Sequence, residues 1–390
     1  MLMQGTELPA ERPNNSMTMQ ISCGIDAKNV IAATPIIDKE DIYDEDVLYW
    51  KMRQAVSGVR WKSSVGYFVH HYITEIDELS QMLRNGTYKP RRPRYFNITE
   101  PKPRRIMSVH IRDRIYLRAL NDIAIYPQII RSLIPDNFAC QKGKGTDAAR
   151  KRLREFLRSF YRKNKCQGYR LQVDIHGYYP NMNREFAKSV FRKRMTKETY
   201  PMAEEALGYH PGDIGFSPGD QTIQNVGIAA LDDLDHFIKE RLRIKYYIRY
   251  MDDFILLHPS REYLQFCFGE IRRFLAKQFM TINPIKTEIA AITKPILFLG
   301  FRYRLTDSGK VVILIDPKKI KHERRKLRRM VKHVREGKSF MKRERAIYLT
   351  KHDVDAHFKA YKSTIRFGNS RKVIYNLNRF YENLWKGQIK

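Results

Sequence analysis

The spacing of apolar residues changes several times along the chain. Between residues 41 and 83 they recur every three or four positions, as in "DVLYWKMRQAV" and "ITEIDELSQML", which predicts helices. The segment "NGTYKPRRPRYFNITEPKPRRIMSV" alternates prolines and basic residues with Tyr88, Tyr95, Phe96 and Ile98. Proline removes a ladder donor and suits edge strands, so a twisted hairpin with a cationic face is expected. A helix starting near Arg112 carries Ile115, Leu117, Leu120 and Ile123, and "ACQKGKGTDAARKRLREFLRSF" reads as a lysine-glycine loop running into a basic helix. The middle alternates: strand "GYRLQVDI", helices near 184–195 and from Thr222, a hairpin over 245–258, a helix near 262–278 and strand-like "PILFLGFRYRL". Beyond Pro317 the whole pattern reads as helical. Residues 1–40 are polar, contain Pro9 and Pro13 and show no period, which predicts a loosely ordered arm.

A chain of 390 residues exceeds the usual size of a single core, so two or three lobes are expected. The formal net charge of +31 is the unusual feature, and it favours polyanionic partners. From Lys318 to Arg345 fourteen lysines and arginines face three glutamates, too few acids for an ordinary solvated helix face. No apolar run approaches the roughly 20 residues of a membrane span, and the first thirty residues lack a signal-peptide core. A cytoplasmic protein without a membrane partner is therefore expected. Cys23, Cys140, Cys166 and Cys267 lie far apart, with neither zinc spacing nor disulfide density. Nucleic acid is left as the favoured partner.

Chemistry enters at "KYYIRYMDDFILLH", Lys245 to His258, where two adjacent aspartates interrupt a run of aromatic and aliphatic residues. Two carboxylates about 4 Å apart at an effective dielectric of about 20 repel by roughly 4 kcal/mol. Turn formation explains a lone Asp-Asp pair, since Asp favours turns, and would place Asp252 and Asp253 at an exposed tip. Asp174 changes the balance. In "GYRLQVDI" it shares a face with Arg170 and Gln172 and falls at the strand end. If the hairpin lies beside this strand, three carboxylates converge, an arrangement that divalent cations stabilise.

These segments resemble the palm motifs of reverse transcriptases: "DIHGYYP" (Asp174 to Pro180) the first and "RYMDD" (Arg249 to Asp253) the third. In the same order along the chain, "EPKPRRIMSVHIRDRIYLRAL" and "FACQKGKGTDAA" resemble fingers motifs of bacterial retroelement enzymes. "GFSPGDQTIQNVGIAALDDLDHFIKE" resembles the motif between the aspartate sites, "INPIKTE" the lysine motif and "ILFLGFRY" the primer grip. The resemblance implies an α+β right-hand polymerase. Its fingers would span 41–168, its antiparallel-sheet palm 169–305 with a fingers-contacting segment near 200–222, and its helical basic thumb 306–390. At "SPGDQTIQ" Pro218 precedes the motif glycine and Ile223-Gln224 ends it. Gln224 is similar to enzymes of diversity-generating retroelements, whereas Pro218 and Ile223 depart from that pattern. Defence-associated bacterial reverse transcriptases remain the competing subfamily.

The resemblance also implies roles. Asp174 and Asp252, with Asp253 and the backbone of Ile175, would hold two Mg²⁺ ions, for which Mn²⁺ can substitute. Tyr179 matches the steric gate against ribose, and its alternative reading is a core aromatic. Lys286 matches the acid that protonates the leaving pyrophosphate. Arg104, Arg112 and Arg114 are expected to face the triphosphate or the template, with Gln224 and Gly219 near the nascent base pair. Lys142, Lys144, Arg324, Arg325 and Arg328 are expected to contact phosphate backbones. Asp232, Asp233 and Asp235 are expected on the solvent side of a palm helix. The expected activity is RNA-directed DNA polymerisation from dNTPs onto a primer 3′-hydroxyl. Template RNA and RNA/DNA duplex are the expected partners, with a structured noncoding RNA and an accessory protein as further candidates. The alternative is a maturase-like RNA-binding protein whose catalysis is not essential.

Overall fold

The runs "YYIRY" and "DFILLH" are apolar at successive rather than alternate positions, as strands covered on both faces are. In the computed structural model, which describes residues 38–99, 103–210, 212–342 and 345–388, they form neighbouring strands. The expected arm therefore lies outside the described residues up to residue 37. The sheet is four-stranded and antiparallel, in the order Tyr246–Tyr250, Asp253–His258, Tyr169–Asp174, Glu288–Ala291. Alternate residues of one strand enter different cores. Phe254 and Leu256 join Leu171, Val173 and Tyr247 in a core completed by helix Arg261–Lys277 and the N-terminal helices. Ile255 and Leu257 join Tyr246 and Ile248 in a second core, against helix Thr146–Asn164 and the C-terminal elements.

The N-terminal part is helical, with Glu45–Ala55, Ser63–His70 and Tyr72–Arg84 followed by the hairpin Arg94–Ile98 and Arg104–Ser108. Helix Ile111–Leu120 continues through a π-helical turn, Asn121–Ile125. A three-stranded sheet, Ile296–Phe298, Phe301–Leu305 and Val311–Ile315, supports the C-terminal helices Pro317–Arg335, Lys351–Ile365 and Arg371–Lys386. Mixed helix and antiparallel sheet make this an α+β fold.

The expectation of helix throughout after Pro317 is corrected. Gly337, at φ 58°, ends the first helix in the left-handed region, and Ser339–Lys342 then pairs with Arg345–Tyr348 as an antiparallel hairpin. The density of basic residues hid this short alternation. Among the described residues no helix is long and apolar enough to cross a membrane, and Cys140, Cys166 and Cys267 are free thiols.

Candidate active site

The turn between Tyr250 and Asp253 is held from behind. Met251 occupies the left-handed region at φ 59°, a conformation that costs a non-glycine residue of order 1 kcal/mol or more and persists only when its surroundings impose it. Arg249, fully buried, imposes it. One guanidinium nitrogen donates to the Met251 carbonyl at 2.9 Å and another to the Ile228 carbonyl at 2.9 Å. The remaining donors grip both oxygens of Asp235, which also accepts from the Tyr247 hydroxyl at 2.5 Å. The backbone of Arg249 is tied as well, accepting from Phe138 N–H and donating to the Asp136 carbonyl.

Asp174 and Asp253 are direct partners in the antiparallel register, which sets their Cα atoms about 4.5–5.5 Å apart. Both lie on the sheet face that carries Gln172, Ile255 and the second core. Gln172 donates to Asp253 at 3.3 Å and to the Leu297 carbonyl at 2.9 Å, steering one carboxylate from the neighbouring sheet. The "INPIKTE" loop closes over Asp174. Asn283 donates to its carboxylate at 3.2 Å and Lys286 Nζ to both oxygens at 2.8 and 2.7 Å. The Asp252 carbonyl accepts from Ile175 N–H at 3.3 Å. Far from standing at an exposed tip, the pair is largely withdrawn from solvent. Burial, then the Asp174 charge, raises the Asp252 carboxyl above the usual carboxylate range. Burial, then Asp252 and Asp174, pushes Asp253 up to about 7.

Such acids in one mutual field form a hard-oxygen donor set of the kind that suits Mg²⁺ or Mn²⁺. Among the described residues no three acidic, imidazole or thiol groups converge closely enough to grip an ion as they stand. The Lys286 ammonium lies on both oxygens of Asp174 and balances its charge. The Asp174 and Asp253 carboxylates suit a divalent ion in chemistry and in register.

Tyr179 lies between these acids and helix Gln221–Ala229. Its hydroxyl contacts Met251 Sδ at 3.4 Å and its ring packs on Tyr178 at 5.3 Å between centroids. Gly227 makes this fit feasible, because a Cβ there would stand 2.3 Å from the Tyr179 hydroxyl and 3.1 Å from Met251 Sδ. Gly219 has an equally direct reason, since a Cβ would meet the Met107 carbonyl at 2.0 Å. Gly219, Gln224, Lys142, Arg118, Tyr126 and Cys140 line one cavity of about 280 Å³. Arg104, exposed on its strand, lies near enough to Asp252 to favour its ionised form.

Residues 105–303, just over half of the chain, match the family described as reverse transcriptase (RNA-dependent DNA polymerase). The chain belongs to the reverse transcriptase family. Apo telomerase from Candida tropicalis truncated from its C-terminal domain is similar in structure, at 13% identity and a TM-score of 0.45 over 63% of this chain and 60% of that one. Apo telomerase from Candida tropicalis shows 12% identity and a TM-score of 0.43 over 60% of this chain and 52% of that one. The family member described here thus spans between about half and three-fifths of those chains. No curated protein matches it in sequence.

Several residues expected at the substrate of this reverse transcriptase family member have partners within the chain. Arg112 is paired with Glu75 and, at 3.1 Å, with Glu78, so its guanidinium ties two helices together. Arg114 is largely buried, which lowers its pKa, and reaches the Val109 carbonyl at 3.5 Å. Lys144 donates to the carbonyls of Pro135 and Asn137 at 3.0 and 2.8 Å and holds its own loop. Arg324 and Arg328 lie over the Phe380 ring at 5.2 and 5.1 Å, and Arg325 and Arg328 are both exposed. Asp232 and Asp235 are buried rather than solvent-facing, paired with Arg194 at 3.0 Å and with Arg249. Arg249, Gln172, Asn283 and Gly227 escaped the sequence reading. An arginine in an otherwise apolar strand is the signal that would have pointed to Arg249.

Proposed function

We propose that the chain is an RNA-directed DNA polymerase that extends a primer 3′-hydroxyl with deoxynucleotides, using template RNA. The observation that carries this is the register pairing of Asp174 with Asp253 beside Asp252, with Lys286 against Asp174. Asp174, Asp252, Asp253 and the Ile175 backbone are the residues that would hold two Mg²⁺ or Mn²⁺ ions, which when bound neutralise charge on the attacking and leaving oxygens. The chain's own groups do the rest. Tyr179, wedged between Met251 and Gly227, presents a fixed ring where a ribose 2′-hydroxyl would stand. Lys286 supplies a proton to the leaving pyrophosphate oxygen. Gln224 and Gly219 bound the space for the nascent pair, Arg104 meets the triphosphate, and Lys142 and Arg325 meet nucleic-acid backbone.

In this reading 41–168 are fingers, 169–305 palm and 306–390 thumb, in a cytoplasmic enzyme of a bacterial retroelement or antiviral defence system. A structured noncoding RNA and an accessory protein are further candidate partners. Primer extension on an RNA template with Mg²⁺ and dNTPs tests the activity. Extension should vanish when Asp252 and Asp253 are both alanine; extension that persists in that variant overturns the proposal. Sequencing the DNA made in cells addresses the role: adenine-directed errors against a neighbouring repeat indicate diversification, and homopolymeric or tandem-repeat products indicate defence.

A further inference from the structure

Residues 47–74 contain Lys51, Arg53, Arg60 and Lys62 and no aspartate or glutamate. They also leave large rings in solvent: Trp50 is 58% exposed, Trp61 51% and Tyr67 61%. Exposed aromatics at this density are not needed for the core, which this segment supplies with Leu48, Met52, Val65 and Phe68. The rings are organised. Trp50 packs edge-on to Tyr49 at 5.7 Å, Tyr49 meets Tyr72 at 5.5 Å, and Tyr67 stacks on His71 at 4.3 Å. Arg53 lies over Trp50 at 5.4 Å and Lys62 over Trp61 at 5.7 Å. The carboxylates that follow in sequence, Glu75 and Glu78, are both paired with Arg112, while Glu45 and Asp46, exposed in the first turn of the helix that carries Trp50, mark the acidic edge of the segment.

We infer that this face is a stacking platform for single-stranded RNA. Unpaired bases stack on aromatic rings while lysines and arginines follow the phosphates, and each stacked base contributes about 1–3 kcal/mol. A duplex, with its bases already stacked, gains little from such a face. The helix that carries Trp50 also touches the lining of the nucleotide cavity. Helix Glu45–Ala55, which carries Trp50 and Arg53, also sends Lys51 to Asp122 at 2.8 Å and Gln54 to Arg118 at 3.5 Å, and Arg118 lines that cavity beside Gln224. The strand held here is therefore the template ahead of the insertion site. That last identification rests on the proposed polymerase function; the binding itself does not.

The test uses the full chain and an unstructured 20-nucleotide RNA, with a blunt RNA/DNA duplex of equal length as the comparison. Changing Trp50, Trp61 and Tyr67 together to alanine should weaken single-strand binding at least tenfold and leave duplex binding within about twofold. An unchanged single-strand affinity, or an equal loss for the duplex, overturns the inference. The chain has three tryptophans, so Trp385→Phe confines the fluorescence to Trp50 and Trp61. Their emission should be quenched by the single strand and not by the duplex, a readout that holds even if the triple variant folds poorly. Absence of quenching by RNA would overturn the platform. The Asp252→Ala, Asp253→Ala chain should bind the single strand normally, which separates failure here from failure of the polymerase reading.

Discussion

Arg249 grips Asp235 with two nitrogens, Nε to Oδ1 at 2.7 Å and Nη2 to Oδ2 at 2.6 Å, and both side chains are completely buried. The pair stands directly behind the aspartate turn, and a third nitrogen of the same guanidinium holds the Met251 carbonyl. Removing one partner of a buried pair costs about 3–5 kcal/mol, whereas replacing both with apolar groups is often neutral. Arg249→Met should therefore lower unfolding stability by about 3–5 kcal/mol in urea melts. The double change Arg249→Met, Asp235→Leu should regain most of that loss. Primer extension should stay at least tenfold down in the double variant, because the grip on Met251 is not restored. Recovery of both stability and kcat would show the pair to be structural only.

The Asp253 carboxyl, pushed up to about 7, makes the metal-free protein sensitive to pH. An unfolded Asp titrates near 3.9, so between about pH 4 and 7 the folded chain holds a proton that the unfolded chain has released. Stability without divalent cations should then fall as pH rises through this window. Asp253→Asn removes the ionisation and should raise stability in EDTA at pH 8 by about 2–4 kcal/mol. Thermal melts at pH 5 and pH 8 check it: the advantage of the variant should shrink toward pH 5, and adding Mg²⁺ should stabilise the unchanged protein more than the variant.

Gly227→Ala places a methyl where the Tyr179 hydroxyl and Met251 Sδ now lie. Overpacking of this kind costs about 1–3 kcal/mol and here is relieved by moving the Tyr179 ring. Discrimination between dNTP and rNTP, measured as the ratio of kcat/KM, should fall about tenfold, while binding of primer-template is unchanged.

Lys286→Met removes the acid proposed for the leaving group and the cation lying on Asp174. General acid catalysis contributes about 10²–10⁴-fold, so kcat should drop by at least about 10². A variant with normal kcat would confine Lys286 to balancing the charge of Asp174.

Arg112→Met offers the contrast. Its guanidinium is spent on Glu75 and Glu78, so the KM for dNTP should stay within about twofold. Stability should fall by about 1–2 kcal/mol from the lost charge-assisted hydrogen bonds.

The strands and the hairpin bearing the aspartates were legible in the sequence because a two-sided sheet writes continuous apolar runs, and a charge within such a run is conspicuous. Asp174, Asp252 and Asp253 announce themselves in that way. The arginines did not. Arg104, Arg112 and Arg114 lie within eleven residues of one another, yet one stands near the acids, one ties two helices and one is largely buried. Helical phase and distant partners such as Glu75 decide between those fates, and neither shows in local spacing. Asp232 and Asp235 were misplaced for the same reason: a carboxylate buried against an arginine far along the chain looks, locally, like one facing water. The hairpin after Gly337 was hidden by basic residues, whose number says nothing about backbone period.

Strand Asp253–His258 sends Ile255 and Leu257 into one core and Phe254 and Leu256 into the other. A slip of one residue would exchange every side chain between the two interiors, so the acids cannot creep along the sheet while the strand stays folded. Any rearrangement of the sheet that kept this strand folded would have to hinge elsewhere. The two halves of the molecule share this strand as a common keel, and the chemistry is mounted on its end.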